Sequence, residues 1–437
     1  MKYSLKSSFA RLTLALLVVM FALTVIGRYV TLTGAASLCV GWPLCAPRAP
    51  LGWLQLVHQA LVGGAILLTL WVFRKAWREQ RDNRVILPLT TVMTVLVLGQ
   101  AFIGALRVAK PQAHLTVLHL LTAISLWIAL VMLTFTAGVL IREDNKPEAL
   151  NMRQRFKDFF ALSKPLIVVL LLITTYGGLV IGSKAWPAPE LTMWTLLGGA
   201  LAAGGSSALN QYIDRELDKN MQRTAKRPLA DGRLTSAEGL SFGLALCLIS
   251  YYVMAGMVNL LAALLSLAGI FYYVFFYSIW LKKATVQNIV IGGGAGAIPP
   301  MVGWAAATNN LGLTAWILFA IVFMWTPPHF WALAIVRMKD YENAGVPMMP
   351  VVRGEAETRK QILIYTIELI AVTLLLPLFN LAGTVYLVSS IVLGGLLLYA
   401  AWRVFKIGGN KPAWMMYKWS SMYLMFIFLA IVVDSVV

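Results

Sequence analysis

Charged side chains are scarce in this chain: Asp, Glu, Lys and Arg make up 12% of it, where a soluble domain carries about 25%. That shortage excludes an ordinary water-exposed surface. The apolar runs point the same way. Leu12–Ile26, Leu54–Phe73, Leu166–Ile181 and Leu260–Ile279 are each near the roughly 20 residues that cross a bilayer once flanks are added. Period-2 alternation is missing, which excludes a membrane barrel. A short repeat is missing too, so no solenoid is expected. The first apolar segment lacks a small-residue cleavage site and reads as a retained span. The expected fold is therefore all-α and polytopic, because helices satisfy their own backbone in lipid.

About thirteen spans are expected. Four precede residue 142, over about 10–28, 52–73, 85–107 and 115–140. Nine follow, over about 163–182, 191–212, 237–255, 259–278, 287–307, 312–333, 361–380, 382–403 and 414–434. Polar residues 142–162 separate them as a cytoplasmic linker, giving a four-span module over 1–141 and a nine-span module over 163–437. Acidic residues are fewer than basic ones, and the net charge is +18. Nucleic acid is not the implied partner, because the basic residues alternate by loop. Arg74, Lys75, Arg78, Arg81, Arg84, Arg142, Lys146, Arg153, Arg155, Lys157, Arg215, Lys219, Arg223, Lys226, Arg227, Arg233, Lys282, Lys283, Arg337, Lys339, Arg353, Arg359 and Lys360 fall on one side; Arg28, Arg48, Arg107, Lys110 and Lys184 are nearly all the other side holds. The positive-inside rule then sets the N-terminus in the cytoplasm and the C-terminus outside.

Chemistry concentrates in Asn210-Gln-Tyr-Ile-Asp214-Arg-Glu-Leu-Asp218, at the cytoplasmic end of a span. Spacings of four put Asn210, Asp214 and Asp218 on one helix face. An oxygen-only set of this kind suits Mg²⁺ bridging to a phosphate. Arg223, Lys226 and Arg227 follow and can hold phosphate charge. The bland alternative is a solvated helix end of mixed charge. Gly292–Gly296 lacks the Lys-Ser/Thr of a phosphate loop and reads as a close-packing stripe. His329, after two prolines, could contact a substrate or hydrogen-bond a carbonyl freed by a broken helix. Lys164 could reach a substrate anion or snorkel to the interface. Asn288 is expected to meet a partner, since a lone amide is costly in lipid.

Asn210-x-x-x-Asp214-x-x-x-Asp218 followed by Arg223-Thr-Ala-Lys-Arg227-Pro-Leu resembles the first aspartate motif of the UbiA prenyltransferases. Within that superfamily, Ser163-Lys164-Pro165, the segment Leu281–Pro300 with Lys282 and Asn288, and Trp325-Thr-Pro-Pro328-His329-Phe-Trp331 with Asp340 resemble the heme-farnesylating branch. Quinone-type members carry a richer second aspartate cluster; here Asp340, with Glu342 nearby, stands in its place. The resemblance implies a UbiA-type bundle that transfers farnesyl from farnesyl diphosphate to a vinyl of heme B, giving heme O for heme A and cytochrome oxidase biogenesis in a bacterial inner membrane. It implies catalytic Asn210, Asp214, Asp218 and Asp340, with Mg²⁺ on Asp214, Asp218 and Asp340. Arg223, Lys226, Arg227 and Lys282 would hold the diphosphate, and Lys164, Asn288 and His329 the heme. The alternatives are prenylation of an aromatic quinone precursor and a non-catalytic heme carrier in oxidase assembly.

Cysteine is nearly absent, with three residues. Cys39 and Cys45 lie in an outer loop where a disulfide can persist; Cys247 reads as packing. His58 and His119 open spans that both start at the outer face, so one heme between them is expected, with His114 as the substitute ligand. Gly34–Cys39, Trp42–Cys45, His58 and Gln100–Leu120 resemble one half of the heme A synthase family, whose members carry two halves. Gln55 and Gln59 stand where that family has Glu and Arg. The reading is a heme-holding, delivering or dimer-completing module, with heme A synthase or an oxidase-assembly protein as partner, or a homo-oligomer; the alternative is a purely structural bundle.

Overall fold

A computed structural model describes residues 7–40, 44–110, 112–141 and 151–437. Trp42 and Pro43 of the cysteine loop, and Arg142 and Lys146 with the rest of 142–150, lie outside the described residues. The chain forms two compact units, one of Met1–Arg155 with Thr235–Ile249 and one of Phe156–Leu234 with Ser250–Val437.

In the first unit Ser7 caps α1 (Ser8–Thr33) by accepting the Ala10 N–H at 3.0 Å, and Gly34 at φ 67° ends it. A turn leads to β1 (Cys39–Val40), antiparallel to β2 (Ala46–Pro47), and a disulfide joins Cys39 to Cys45. The Gln59 side chain accepts the Cys45 N–H at 2.8 Å. Three long helices follow: α2 (Gly52–Glu79), α3 (Ile86–Ala109) and α4 (Ala113–Leu140). Phe9, Leu16, Val72, Leu130 and Leu133 fill the space between them. Thr235 and Glu238 form a reciprocal cap at the start of α8 (Ser236–Met257). The buried Glu238 carboxylate also pairs with Arg155 and Arg81.

The linker expected over 142–162 is helical from Met152, as α5 (Met152–Leu162). Its polar sequence hid a buried contact, the Asp158–Arg233 ion pair. The second unit continues with α6 (Pro165–Ser183), α7 (Pro189–Asp218) and α9 (Leu260–Phe271), which runs on as a π-helix over Tyr272–Leu281. Then come α10 (Lys282–Ala284), α11 (Asn288–Thr308), α12 (Leu313–Val336), α13 (Met338–Asn343), α14 (Met349–Thr373), α15 (Leu375–Leu378), α16 (Thr384–Ile407) and α17 (Asn410–Val436). The span expected at 361–380 starts earlier, at Met349, with a kink at Gly354. Nor is α12 broken before His329; it runs through Pro327 and Pro328.

Twelve helices among the described residues are long and apolar enough to cross a membrane. The expected thirteenth, α7, has 30 residues but is not among them, because glycines, serines and threonines dilute its apolar stretch before Asn210. Leu67, Leu166 and Leu378 are at least 70% exposed, which suits side chains facing lipid. The molecule is a multi-pass membrane protein. Small residues let helices of the second unit touch. A Cβ at Gly178 would lie 2.1 Å from the Pro300 carbonyl oxygen, and one at Gly303 only 1.9 Å from that of Thr175, so α6 and α11 meet backbone to backbone. Within the Gly292–Gly296 stripe, Gly292 accommodates the Tyr277 ring and Gly293 the Thr326 side chain, while Gly296 faces open space.

Candidate active site

A chamber of about 740 Å³ opens between α6, α7, α9, α11, α12 and α17, within the usual range of ligand sites. Val169, Leu172, Ile173, Ile270 and Ile298 make much of its wall apolar. Its polar end is built on α7. The α-helical period brings Asn210, Asp214 and Asp218 to one side, and all three are buried. The Asn210 amide donates to Asp214 Oδ2 at 2.8 Å and to Ser278 Oγ at 3.0 Å. Lys164 Nζ donates to Asn210 Oδ1 at 3.0 Å, Lys282 Nζ to Asp214 Oδ2 at 2.6 Å, and Arg227 Nη1 to Asp218 Oδ2 at 2.8 Å.

Local structure explains each placement. Ser207 and Gln211 both donate to the Leu162 carbonyl, and two residues later Lys164 turns into the left-handed region at φ 47°. Its side chain enters the chamber instead of snorkelling. Burial, reinforced by Arg227, pushes the Lys164 ammonium down to about 7 against the pull of Asp214 and Asp218. The π-helix, with its wider i→i+5 turn, and Lys282 just after it bring Tyr273, Tyr277 and Lys282 to one wall, where Tyr273 and Tyr277 stack at 5.5 Å, and set Ser278 behind them against Asn210. Arg233 ties down the basic loop by donating to the Lys226 carbonyl and pairing with Asp158 and Asp231.

The residues singled out in the sequence do not all converge. Lys164, Asn210, Asp214, Asp218, Arg223, Arg227, Lys282, Asn288 and His329 line the chamber. Lys226 does not: its side chain is exposed, and its carbonyl accepts from Arg233 at 2.8 Å. Asp340, on α13, lies beside the lining residue Tyr341 and has a buried, unpartnered Oδ2. Asn288 likewise keeps a buried, unpartnered Oδ1. His329 Nδ1 pairs with Ser420 Oγ at 2.8 Å, a side-chain partner where a freed carbonyl was one expectation. Trp331 turns away into the core, edge-on to Tyr365. Tyr273, Tyr277 and Tyr417 escaped the sequence reading, since aromatic residues at span ends look like an interfacial belt, and Ser278 escaped it as one small polar residue in an apolar run.

In the first unit His119 Nε2 meets the Gln100 amide at 3.0 Å, and the Nδ1 atoms of His58 and His119 are buried without partners. The His58 ring lies over Gly27 and the His119 ring over Gly104. His114 is half-buried.

A membrane-spanning bundle around a largely apolar chamber, closed at one end by carboxylates and cations, defines the class: a polytopic intramembrane enzyme acting on a lipid-like anion. The pattern of the UbiA prenyltransferase family matches residues 171–428. The chain is 41% identical to the protoheme IX farnesyltransferase of Roseiflexus sp. (strain RS-1), over 99% of this chain and 85% of that protein. It is 49% identical to the protoheme IX farnesyltransferase of Gloeobacter violaceus, over 64% of this chain and 92% of that one. Among solved structures, a digeranylgeranylglyceryl phosphate synthase matches 65% of this chain and 99% of its own with a TM-score of 0.55 at 17% identity, a likeness of fold. The chain belongs to the UbiA prenyltransferase family.

Proposed function

We propose that this prenyltransferase moves farnesyl from farnesyl diphosphate to a vinyl group of heme B, giving heme O. The observation that carries the reading is the carboxylate pair Asp214 and Asp218, held by Lys282 and Arg227 at the polar end of the apolar chamber. The naming of the full-length relative supports the choice of heme as acceptor.

The site suits a diphosphate with a divalent cation. Its donors are oxygens, and Asp340 keeps an orphaned oxygen. Among the described residues no three of His, Cys, Asp and Glu form a metal cluster by themselves, which fits an ion that completes its shell with substrate phosphate and water. Asn210, Asp214, Asp218 and Asp340 would hold Mg²⁺, which when bound neutralises charge on the leaving diphosphate. Lys282, Arg223 and Arg227, with Lys164 when protonated, line the chamber with Asp214 and Asp218 and outnumber those two carboxylates, leaving positive charge for the diphosphate oxygens. The ion pairs of Lys282 with Asp214 and of Arg227 with Asp218 hold those two cations in place until phosphate oxygens replace the carboxylates. The apolar wall takes the farnesyl chain and keeps water from the allylic cation. The allylic C–O bond breaks with its electron pair leaving on diphosphate. The vinyl terminal carbon bonds to the farnesyl carbon, and one water adds to the inner vinyl carbon, losing a proton. Heme B, farnesyl diphosphate and water thus become heme O, diphosphate and a proton.

Loop charge supports an N-terminus in the cytoplasm and a C-terminus outside, in the bacterial inner membrane that the sequence resemblance implies. Membranes expressing the chain, supplied with farnesyl diphosphate, are expected to accumulate heme O on pigment chromatography. Unaltered heme B in membranes that contain the folded protein would overturn the reading.

For the first unit the reading is a heme held by His58 and His119. Its support is the pair of imidazoles with unpartnered Nδ1 atoms in one helix bundle, where lipid offers polar rings few partners. A heme there would supply a low-spin centre for holding or handing on the pigment, in this chain alone or in a homo-oligomer. The full-length protein is expected to show a low-spin bis-histidine absorption spectrum that His58→Ala and His119→Ala each remove and His114→Ala leaves intact. A high-spin spectrum after heme is supplied would assign these histidines to packing.

A further inference from the structure

Where α12 meets α17, four rings stack in one column. Trp325 and His329 lie 4.3 Å apart between centroids, His329 and Tyr417 4.6 Å, and Tyr417 and Trp414 5.2 Å, with interplanar angles of 23°, 29° and 21°. Ser420 fixes the inner end, its carbonyl accepting from Trp325 Nε1 at 2.6 Å while its hydroxyl pairs with His329 Nδ1. Trp325, His329 and Tyr417 line the chamber, and Phe330 lines it edge-on to His329 at 5.1 Å. Trp414, at the other end, is 39% exposed and lies outside the chamber lining. Lys418, also exposed, places Nζ 5.6 Å from the Trp414 ring centroid.

Packing in lipid does not call for this arrangement, since aliphatic side chains fill such a helix contact as well. A column of rings from the chamber to an exposed rim, ending at a cation, is matched by a ligand that is flat, aromatic and anionic along its outer edge. We propose that the open face of Trp414 and the chamber-lining edges of Tyr417 and His329, whose faces are taken up in the column, seat the acceptor's macrocycle and that Lys418 binds an acceptor carboxylate. The inference rests on heme B being the acceptor. In heme B the vinyl groups and the two propionates lie at different edges of the ring. A vinyl directed to the diphosphate end inside the chamber therefore leaves the propionates to emerge at the rim, where Trp414 offers an aromatic face and Lys418 a charge. A carboxylate–ammonium pair gives the acceptor orientation as well as affinity.

The competing explanation is a Trp–Lys pair anchoring α17 at the membrane interface. Kinetics of the purified full-length protein with farnesyl diphosphate and either protoheme or its dimethyl ester separate the two. Lys418→Gln is expected to raise KM for protoheme about tenfold with KM for farnesyl diphosphate unchanged. On the dimethyl ester, which carries no carboxylate, Lys418→Gln and wild type are expected to coincide. Trp414→Leu should raise KM for both acceptors, and Trp414→Phe, which keeps a ring in the column, should restore it. Equal losses on acid and ester, or no loss on protoheme, would make the pair an anchor and overturn the proposal. Wild-type protein that farnesylates neither acceptor would instead overturn the heme reading on which the proposal depends.

Discussion

Asp214→Asn is expected to lower farnesyl transfer by about a thousandfold, the scale on which removing one preorganised electrostatic contact acts. The asparagine keeps the volume of the carboxylate and can still bond to Asn210. It cannot supply the negative charge that faces both Lys282 and an incoming cation. Asp214→Ala adds a structural cost that the isolated motif does not reveal. Asp214 is 3% exposed, so removing it leaves the Lys282 ammonium without its counterion in a largely buried site. Loss of one partner from such a pair costs about 3–5 kcal/mol, so the alanine variant should melt lower as well as lose activity. The asparagine variant also leaves Lys282 without its counterion but opens no cavity, so its activity is counted per folded molecule. Rates of heme O formation per folded molecule measure it, and a rate within tenfold of wild type would remove Asp214 from the catalytic set.

Gly303→Val is expected to destabilise the second unit by about 3 kcal/mol or more, the upper range for overpacking a close contact. A Cβ at this position would lie 1.9 Å from the Thr175 carbonyl oxygen and 2.8 Å from the Leu179 amide nitrogen. Both atoms are backbone, so no side-chain rotation relieves the clash, and α11 must move away from α6. These two helices also carry chamber walls, through Val169 to Thr175 on one and Asn288 to Val302 on the other. Activity should fall with stability. Gly296→Ala is the internal control: the same helix, open space around the new methyl, and a helix-propensity gain of up to about 1 kcal/mol. Thermal unfolding in detergent compares them. A Gly303→Val protein melting together with wild type would show that α6 and α11 do not meet as closely as described.

The membrane class, most of the span count and the acidic face of α7 were legible in sequence because each follows from local periodicity and composition. Long apolar runs cross lipid whatever surrounds them, and residues four apart share a helix face before any tertiary contact forms. The same local reading placed α7 among the spans even though its glycines, serines and threonines keep it below the apolarity of the other twelve. Other features depend on atoms distant in the chain. Lys164 reads as an interfacial lysine until Ser207 and Gln211 hold the Leu162 carbonyl and the backbone turns its side chain inward. Lys226 and Arg227 look equivalent in sequence, yet Arg233 holds the Lys226 carbonyl, the Lys226 side chain stays exposed, and Arg227 is the one that pairs with Asp218. The π-helical turn that places Tyr273, Ser278 and Lys282 has no compositional mark, because a hydrogen-bond shift of one residue is set by packing. The polar stretch from Met152 reads as linker, since its reason for folding is an ion pair between Asp158 and Arg233, far along the chain. Sequence by itself determined that the protein lies in the membrane and carries an acidic motif. The tertiary structure decided which cations face that motif, because side-chain direction depends on partners that local patterns do not encode.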